Sequence, residues 1–543
     1  MAEDTLRRNL DEAFDPGTGF PDPLLLSRTM SAIDAAEPRP RPAQGRVRWF
    51  PGLSPTASRL LAGALILLIL LAAFGALLAV QHLFPTPVPA RWSHCGGVFE
   101  CANVRVPLDY SNPAAGSIEI ATVRKPATDP AQRIGSLVLG FGGPGVSGID
   151  LLRQNSVFYG TLNTRFDLVG FDQRGTGRSS PVHCFTNSQI DALNYVDTVL
   201  DDPREKQAFV NAEMAIAQVC RQTSGKLLPF VDTASAARDL DAIRMAAGDA
   251  RLTYLGFGYG TLLGEIYAHL FPTHVRAMVL DGVFDPGDSA TDMWLQRAAG
   301  FEAALQSFLA NCRASATCAF GDGGDPGARL TALMNRVDQN PMLVGSRMLG
   351  RRLAVAGVLV GLDPRNRNQL DSALTDAANG DGKSLLALAD ANYGRQPDGS
   401  YSFNPDASTA TTCIDQPVPS DITVYDRLGP AMTAASPIFG PAFQYVPLGC
   451  AYWPVKSKSA VAPVTVAGAP PILIVGATHD PWWPYSWATS VNRALASSVL
   501  LTREGYGPLS YFRSGCIKLA VDSYVLRSTL PAGGTVCPSD YPA

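Results

Sequence analysis

Gly256-Phe257-Gly258-Tyr259-Gly260-Thr261 follows a short apolar run and precedes a second apolar stretch, Leu262 to Leu270. Strand, tight turn and helix in that order is the geometry of a nucleophile elbow, G-x-S-x-G. The chemistry of such a turn is acyl transfer. Its central side chain attacks from a strained, exposed position above a helix N-terminus that favours negative charge. Glycines flank it because side chains there would clash. Here the centre is Gly258, which has no side chain to attack with. Thr261, one turn into the helix, reads as a packing residue facing away from the elbow centre. A second glycine turn, Gly142-Gly143-Pro144-Gly145, follows the run at Leu137. Backbone N–H groups left free there suit an oxyanion, with Gly143 as one donor and the N–H of Tyr259 as the other.

These turns need strands to present them. Val104 to Leu108 and Ile118 to Val123 read as early strands. Ser136 to Leu139 leads into the GGPG turn, and Phe166 to Phe171 leads into Asp172-Gln173-Arg174-Gly175. Leu252 to Leu255 leads into the elbow, Ala277 to Asp281 is a fourth run and Pro471 to Val475 a fifth. Ala236 to Ala247 has apolar residues at helical spacing. Short buried strands alternating with helices predict a mostly parallel sheet covered on both faces, an α/β fold. Residues 286–462 interrupt the pattern with helical stretches such as Leu305, Phe308, Leu309 and Cys312. Connections between packed strands are normally short, so this insertion reads as a helical cap over the sheet end.

The stretches VLGFGGPGVSG, FDLVGFDQRGTGRSSPVHC, AARDLDAIR, YLGFGYGTLLGEIYAHLFPTHVRAMVLDGVFDP and GATHDPWWPY occur in this order. On them, residues 95–285 and 463–540 resemble the tripeptidyl aminopeptidases, the TAP-like branch of the prolyl-aminopeptidase family of α/β-hydrolases. The resemblance implies an α/β-hydrolase fold with a helical cap, paired cysteines and a serine peptidase site without a cofactor. It also implies a serine where Gly258 stands, an acid at Asp480 in Gly476-Ala477-Thr478-His479-Asp480, and a histidine at Tyr506 in Gly505-Tyr506-Gly507. The chain order of this fold is Ser, Asp, His. None of the 6 histidines follows Asp480. His479 adjoins Asp480, but neighbours at a strand end point opposite ways.

Loss of a triad serine or histidine costs on the order of 10⁶ in kcat, roughly 8 to 9 kcal/mol, in the subtilisin case. A neutral phenol is a weak substitute base. Two losses in one triad predict an inactive homologue. It would bind a peptide or small ligand in the old cleft, or persist as a structural envelope protein. A Tyr506 ring filling the space above Gly258 would favour the latter. The alternative is an active aminopeptidase or esterase using non-standard residues. Gly258→Ser with Tyr506→His is expected to recover some hydrolysis if the cleft is otherwise intact. Asp480 has two readings, a leftover acid or a carboxylate holding its own loop through backbone N–H bonds. Trp482, Trp483 and Trp487 could line a pocket or pack the core. Asp172 and Arg174 read as a structural brace at the sheet end.

Hydrophobic residues make up 46% and charged residues 17% of the 543-residue chain, enough to bury a core. The net charge of -4 and the lack of a long basic run argue against nucleic acid. Leu60 to Val80 is uncharged and nearly all apolar, and as a helix would span about 30 Å, the thickness of a bilayer core. Arg39, Arg41, Arg46, Arg48 and Arg59 precede it, and Arg91 is the first cation after it. The positive-inside rule then predicts a single-pass protein with a mostly disordered cytoplasmic tail at 1–59 and a transmembrane helix at 60–80. A linker at 81–94 would lead to an extracytoplasmic hydrolase core at 95–285 and 463–543, interrupted by the cap at 286–462. All 10 cysteines follow the apolar segment. Nearest-neighbour pairing would give local disulfides, as suits an oxidising compartment, and the alternative is scattered buried thiols. No CxxC pair suggests zinc. Nothing in the sequence sets the oligomeric state.

Overall fold

The computed structural model describes residues 90–456 and 464–541. The Leu60–Val80 segment and the tail before it lie outside the described residues. Among the described residues no helix is long and apolar enough to cross a membrane.

A 10-stranded sheet carries the molecule. Its early strands are β1 (Ser93–His94), β2 (Glu100–Pro107), β3 (Ser117–Lys125), β4 (Gly135–Gly140), β5 (Phe166–Phe171), β6 (Leu252–Phe257) and β7 (Val275–Asp281). A separate hairpin, β8 (Met342–Val344) and β9 (Arg347–Leu349), lies in the insertion. The main sheet resumes with β10 (Ile472–His479), β11 (Ser498–Tyr506) and β12 (Val536–Pro538). The spatial order is β1-β2-β3-β5-β4-β6-β7-β10-β11-β12. Pairing is antiparallel from β1 to β5 and parallel from β5 to β12.

Every residue of β4, β5 and β6 is buried, which explains their unbroken apolar runs. Alternation divides them between two faces. Leu137 and Leu139 join Leu255, Val279 and Leu473 in one core layer. Val138 joins Tyr254, Met278 and Ile474 in the other. The helices Thr233–Ala246 and Tyr259–Leu270 cover the second face, and Gly148–Asn155 and Gly515–Arg527 cover the first.

The insertion is helical, as its periodicity predicts. Leu305, Phe308, Leu309 and Cys312 are buried along the helix Ala290–Ala314 and pack with Leu353, Val358 and Leu374. The cap has a second contributor that the sequence did not mark. The helix Pro203–Ser224, between β5 and β6, packs Phe209 against Tyr425 and Leu448, and Cys220 against Ile414 and Trp453. An amphipathic helix between two strands looks the same in sequence whether it covers the sheet or joins a cap. The disulfides are Cys95–Cys101, Cys184–Cys220, Cys312–Cys318, Cys413–Cys450 and Cys516–Cys537, each cysteine with its neighbour in sequence.

The Asp172-Gln173-Arg174 turn braces the sheet end. Asp172 accepts from Ser147 Oγ at 2.6 Å and from the N–H of Arg178 at 2.9 Å. Arg174, fully buried, holds both carboxylate oxygens of buried Asp239 at 2.6 Å and donates to the carbonyls of Pro107, Leu108 and Phe230. Tyr110 donates to the same carboxylate at 2.8 Å. A buried pair broken on one side leaves an uncompensated charge. Arg174→Ala is therefore expected to cost about 3–5 kcal/mol of stability, read from the urea midpoint. An unchanged midpoint would show the pair to be dispensable.

Candidate active site

The elbow keeps its turn. Gly258 sits between β6 and the helix Tyr259–Leu270 with φ +55° and ψ −121°, a left-handed conformation that glycine adopts without a Cβ penalty. Its N–H donates to the Asp281 carbonyl at 3.0 Å. Thr261 is fully buried, donates to the Gly258 carbonyl at 2.7 Å and accepts from the Phe284 N–H at 2.9 Å. It braces the turn, in keeping with a packing role.

The space where a side chain on residue 258 would project is filled. A Cβ on Gly258 would lie 2.6 Å from Cζ2 and 3.0 Å from Cε2 of Trp483. The same indole comes within 3.0 Å of a Cβ placed on Gly282. Phe284 and Trp487 pack around it at 6.3 Å between ring centroids. Arg297, on the first cap helix, lies 5.3 Å from the Trp483 ring, 5.3 Å from Trp487 and 5.1 Å from Trp294. Its Nε donates to the Trp482 carbonyl at 3.1 Å. Burial among these rings pushes the Arg297 guanidinium down to about 10, against the pull of the Asp480 charge. The condition attached to Gly258→Ser with Tyr506→His, an otherwise intact cleft, bears on Trp483, whose indole lies where a side chain on residue 258 would begin. Trp483 and Trp487 are packing residues, and Trp482 packs edge-on against Phe301 at 4.8 Å.

Asp480, at the end of β10, is only 4% exposed. It accepts from the N–H groups of Trp482 at 2.9 Å and Trp483 at 3.0 Å. It holds its own loop, and in doing so aims Trp483 at the elbow. Burial raises its carboxyl to about 7, opposed by those N–H bonds and by Arg503, and aided by Asp281. Tyr506 ends β11. Its ring stacks on His479 with centroids 4.5 Å apart and planes 16° from parallel, and Arg367 lies 5.4 Å from it. His479 is exposed where Asp480 is buried, as the strand alternation requires.

The GGPG turn lies against the elbow. A Cβ on Gly142 would be 2.5 Å from the Phe257 carbonyl and 3.1 Å from the Gly258 Cα. Gly143 has φ +73°. The cap is stitched to this turn, with a bridge between Val146 and Phe403 and a bond from the Asn404 N–H to the Gly145 carbonyl at 2.9 Å. Behind the elbow, the Tyr259 hydroxyl bonds Thr233, whose hydroxyl donates to buried Asp415 of the cap. The structure thus brings the GGPG turn against Gly258 and Tyr259, ties Asp480 to the loop that carries Trp483, and stacks Tyr506 on His479. A cavity of about 210 Å³ remains between Trp482 and Pro508 on the core and Leu359 and Val360 on the cap. Sequence reasoning missed Arg297 and the specific role of Trp483. Their link spans most of the cap insertion, and a Trp-rich segment alone does not say what it covers. Among the described residues, the Cys312, Cys318 and Asp371 grouping is spent, because the cysteines form a disulfide and Asp371 accepts from the Ala319 and Phe320 N–H groups.

A model of the α/β-hydrolase fold matches residues 137–322, and a model of TAP-like proteins matches residues 436–537. A protein of Mycobacterium tuberculosis named serine protease Hip1 is 35% identical over 484 residues, covering 83% of this chain and 91% of the relative. A protein of the same species named carboxylesterase B is 35% identical over 449 residues, 80% of this chain and 86% of the relative. The tripeptidyl aminopeptidase of Streptomyces lividans is 29% identical over 458 residues, 81% of this chain and 83% of the relative.

The Asp480 environment has a thermodynamic sign. Its folded-state pKa lies above its unfolded value, so the folded state binds the proton more tightly and stability falls as pH rises from about 4 to about 7. Asp480→Asn keeps an acceptor for both loop N–H groups and removes the charge. The variant is expected to lose part of that slope and to be at least as stable as the wild type at pH 8. Asp480→Ala strands both N–H groups and should cost about 1–3 kcal/mol at either pH. Denaturant midpoints at pH 4 and pH 8 check this, and an identical slope in wild type and Asp480→Asn would refute it.

Proposed function

The chain belongs to the α/β-hydrolase family, in its TAP-like branch, and from that membership we propose that it is a non-hydrolysing member. Its outer domain holds a peptide or small ligand instead of cleaving one. Leu60–Val80 anchors it as a single-pass membrane protein, with residues 1–59 in the cytoplasm and the hydrolase domain outside.

The observation that carries the reading is the Trp483 indole in the volume a nucleophile would need. Absence of a serine alone could be a single lost atom group in a working cleft. A packed ring in its place means that the surroundings are built around glycine. The other triad positions agree. Asp480 places one carboxylate oxygen, Oδ1, against two loop N–H groups, and Tyr506 stacks on His479. What remains is an oxyanion turn at Gly143 and Tyr259 with no group to generate an oxyanion. Such a turn alone retains about 10³ to 10⁴ over water in a triad enzyme stripped of its catalytic groups. The relatives named as protease, esterase and aminopeptidase share acyl transfer, which requires a nucleophile this elbow does not supply.

Fluorophosphonate labelling of the full-length protein tests the reading, and no labelled serine is expected. A labelled serine near the elbow would overturn it in favour of an active hydrolase with non-standard residues. Reconstruction tests the plug itself. Gly258→Ser with Tyr506→His is expected to stay silent, because the indole meets the new side chain. Adding Trp483→Ala should give labelling at the introduced serine and ester hydrolysis at least tenfold above the double variant. Equal activity of double and triple variants would show that Trp483 does not block the site.

A further inference from the structure

The bridge between Cys95 and Cys101 differs from the other four. Each of those has at least one buried cysteine (Cys184, Cys312, Cys413 or Cys537), whereas neither Cys95 nor Cys101 is buried. Gly96, Gly97 and Val98, in the loop it closes, are exposed, and the glycines put no side chain over the sulfurs. The loop rests on the helix Gly148–Asn155. Arg153 of that helix donates through Nη2 to the Cys95 carbonyl at 3.1 Å, to the Cys95 Sγ at 3.1 Å and to the Cys101 Sγ at 3.4 Å. Its guanidinium also lies 5.3 Å from the Phe99 ring. Among the described residues no carboxylate pairs with it, and its buried Nε has no partner. The acids on the same elements are engaged elsewhere. Asp150 pairs with Arg178 at 2.9 Å, and Glu100 pairs with Arg124 at 2.6 Å. The His94 ring is bonded to the Gly97 carbonyl at 3.0 Å. The Cys312–Cys318 bridge has the opposite setting, with the Asp371 carboxyl 3.2 Å from the Cys318 Sγ.

A disulfide opens when a thiolate attacks one sulfur and the other leaves with the electron pair, and the more acidic the departing thiol the faster it leaves. A cation held against a sulfur favours the charge that forms there. Arg153 is closer to the Cys95 Sγ, so Cys95 is the sulfur set to leave and Cys101 the one to be attacked. The closed bridge gives the guanidinium no anion, and the opened bridge supplies one. We propose that Cys95–Cys101 is a thiol–disulfide exchange site whose co-reactant is a dithiol. One thiolate of the dithiol bonds to the Cys101 Sγ, the Cys95–Cys101 bond breaks, and Cys95 leaves as a thiolate beside Arg153. The second thiol of the dithiol, once deprotonated, attacks the sulfur of its own molecule in the mixed disulfide, and Cys101 leaves and takes a proton. The dithiol is thereby oxidised to a disulfide and the bridge reduced by the same electron pair. One thiol proton ends on Cys101 and the other in water. The site is independent of the elbow and of whether the protein hydrolyses anything.

Timed exposure of the full-length protein to dithiothreitol at pH 7, trapping with N-ethylmaleimide and peptide mass mapping test this. Cys95 and Cys101 are expected to be labelled at least tenfold faster than any other pair, including Cys516–Cys537 with its exposed Cys516. Arg153→Gln should slow that labelling at least fivefold, while Arg153→Lys, which keeps a cation, should retain most of the rate. Melting curves check that both variants fold. A second readout separates charge from packing. With the bridge opened, the pH at which iodoacetamide labels Cys95 at half its maximal rate should be lower in the wild type and in Arg153→Lys than in Arg153→Gln. Equal opening rates for Cys95–Cys101 and Cys516–Cys537 would overturn the site. A folded Arg153→Gln with an unchanged rate and pH dependence would overturn the role of the guanidinium and leave exposure as the cause.

Discussion

The space above the Gly258 turn holds either a side chain on residue 258 or the Trp483 indole, since a Cβ there would sit 2.6 Å from Cζ2. Much of the local structure follows from the indole being the occupant. Asp480 fixes the loop that carries it, by accepting from the consecutive N–H groups of Trp482 and Trp483. Arg297 reaches down from the cap and is enclosed by Trp294, Trp483 and Trp487. Gln296 accepts from the Trp487 indole N–H at 2.9 Å and from Ser486, so adjacent residues of one cap helix grip the same loop. Residues from the cap and from the Asp480 loop thus close together around the Trp483 indole.

Burial has a cost in this region, and it appears in the carboxyls. Asp480 and Asp415 are pushed up to about 7, and Asp281 to about 6, in each case mainly by removal from water. Each is held by hydrogen bonds, not by a direct cation: Asp281 by the N–H groups of Ser510 and Tyr511, and Asp415 by Thr233. These bonds favour the anion, burial favours the neutral acid, and burial is the larger effect at each of the three.

The frame was legible in sequence and its filling was not. The buried runs at Leu137, Phe166, Leu252, Ala277 and Ile472 are strands because unbroken apolar stretches bounded by glycine have few other solutions. The elbow and the GGPG turn were readable because sharp turns demand glycine. Nearest-neighbour pairing of the cysteines was one reading of the sequence beside scattered thiols, and the structure has that pairing. Trp483, Arg297 and the Pro203–Ser224 helix escaped for one reason. Each acts through contacts between residues distant in the chain, and a side chain's type does not say which void it fills. Tyr506 shows the same limit. Its glycine-flanked turn is visible in sequence, but its ring could turn to His479 or to the elbow, and only the packing chose between them.

The pairing of the cysteines bears on how the chain matures. Partners are separated by 6, 36, 6, 37 and 21 positions, and no pair encloses a cysteine of another. In a chain that oxidises as it emerges from its N-terminus onward, each thiol meets its own partner before any later one. A simple rule of bonding to the next thiol would produce the native set without reshuffling. None of these links joins the cap segment at 286–456 to the sheet. Cap and sheet can therefore each be closed covalently while their mutual fit, including the seating of Trp483, is still being found.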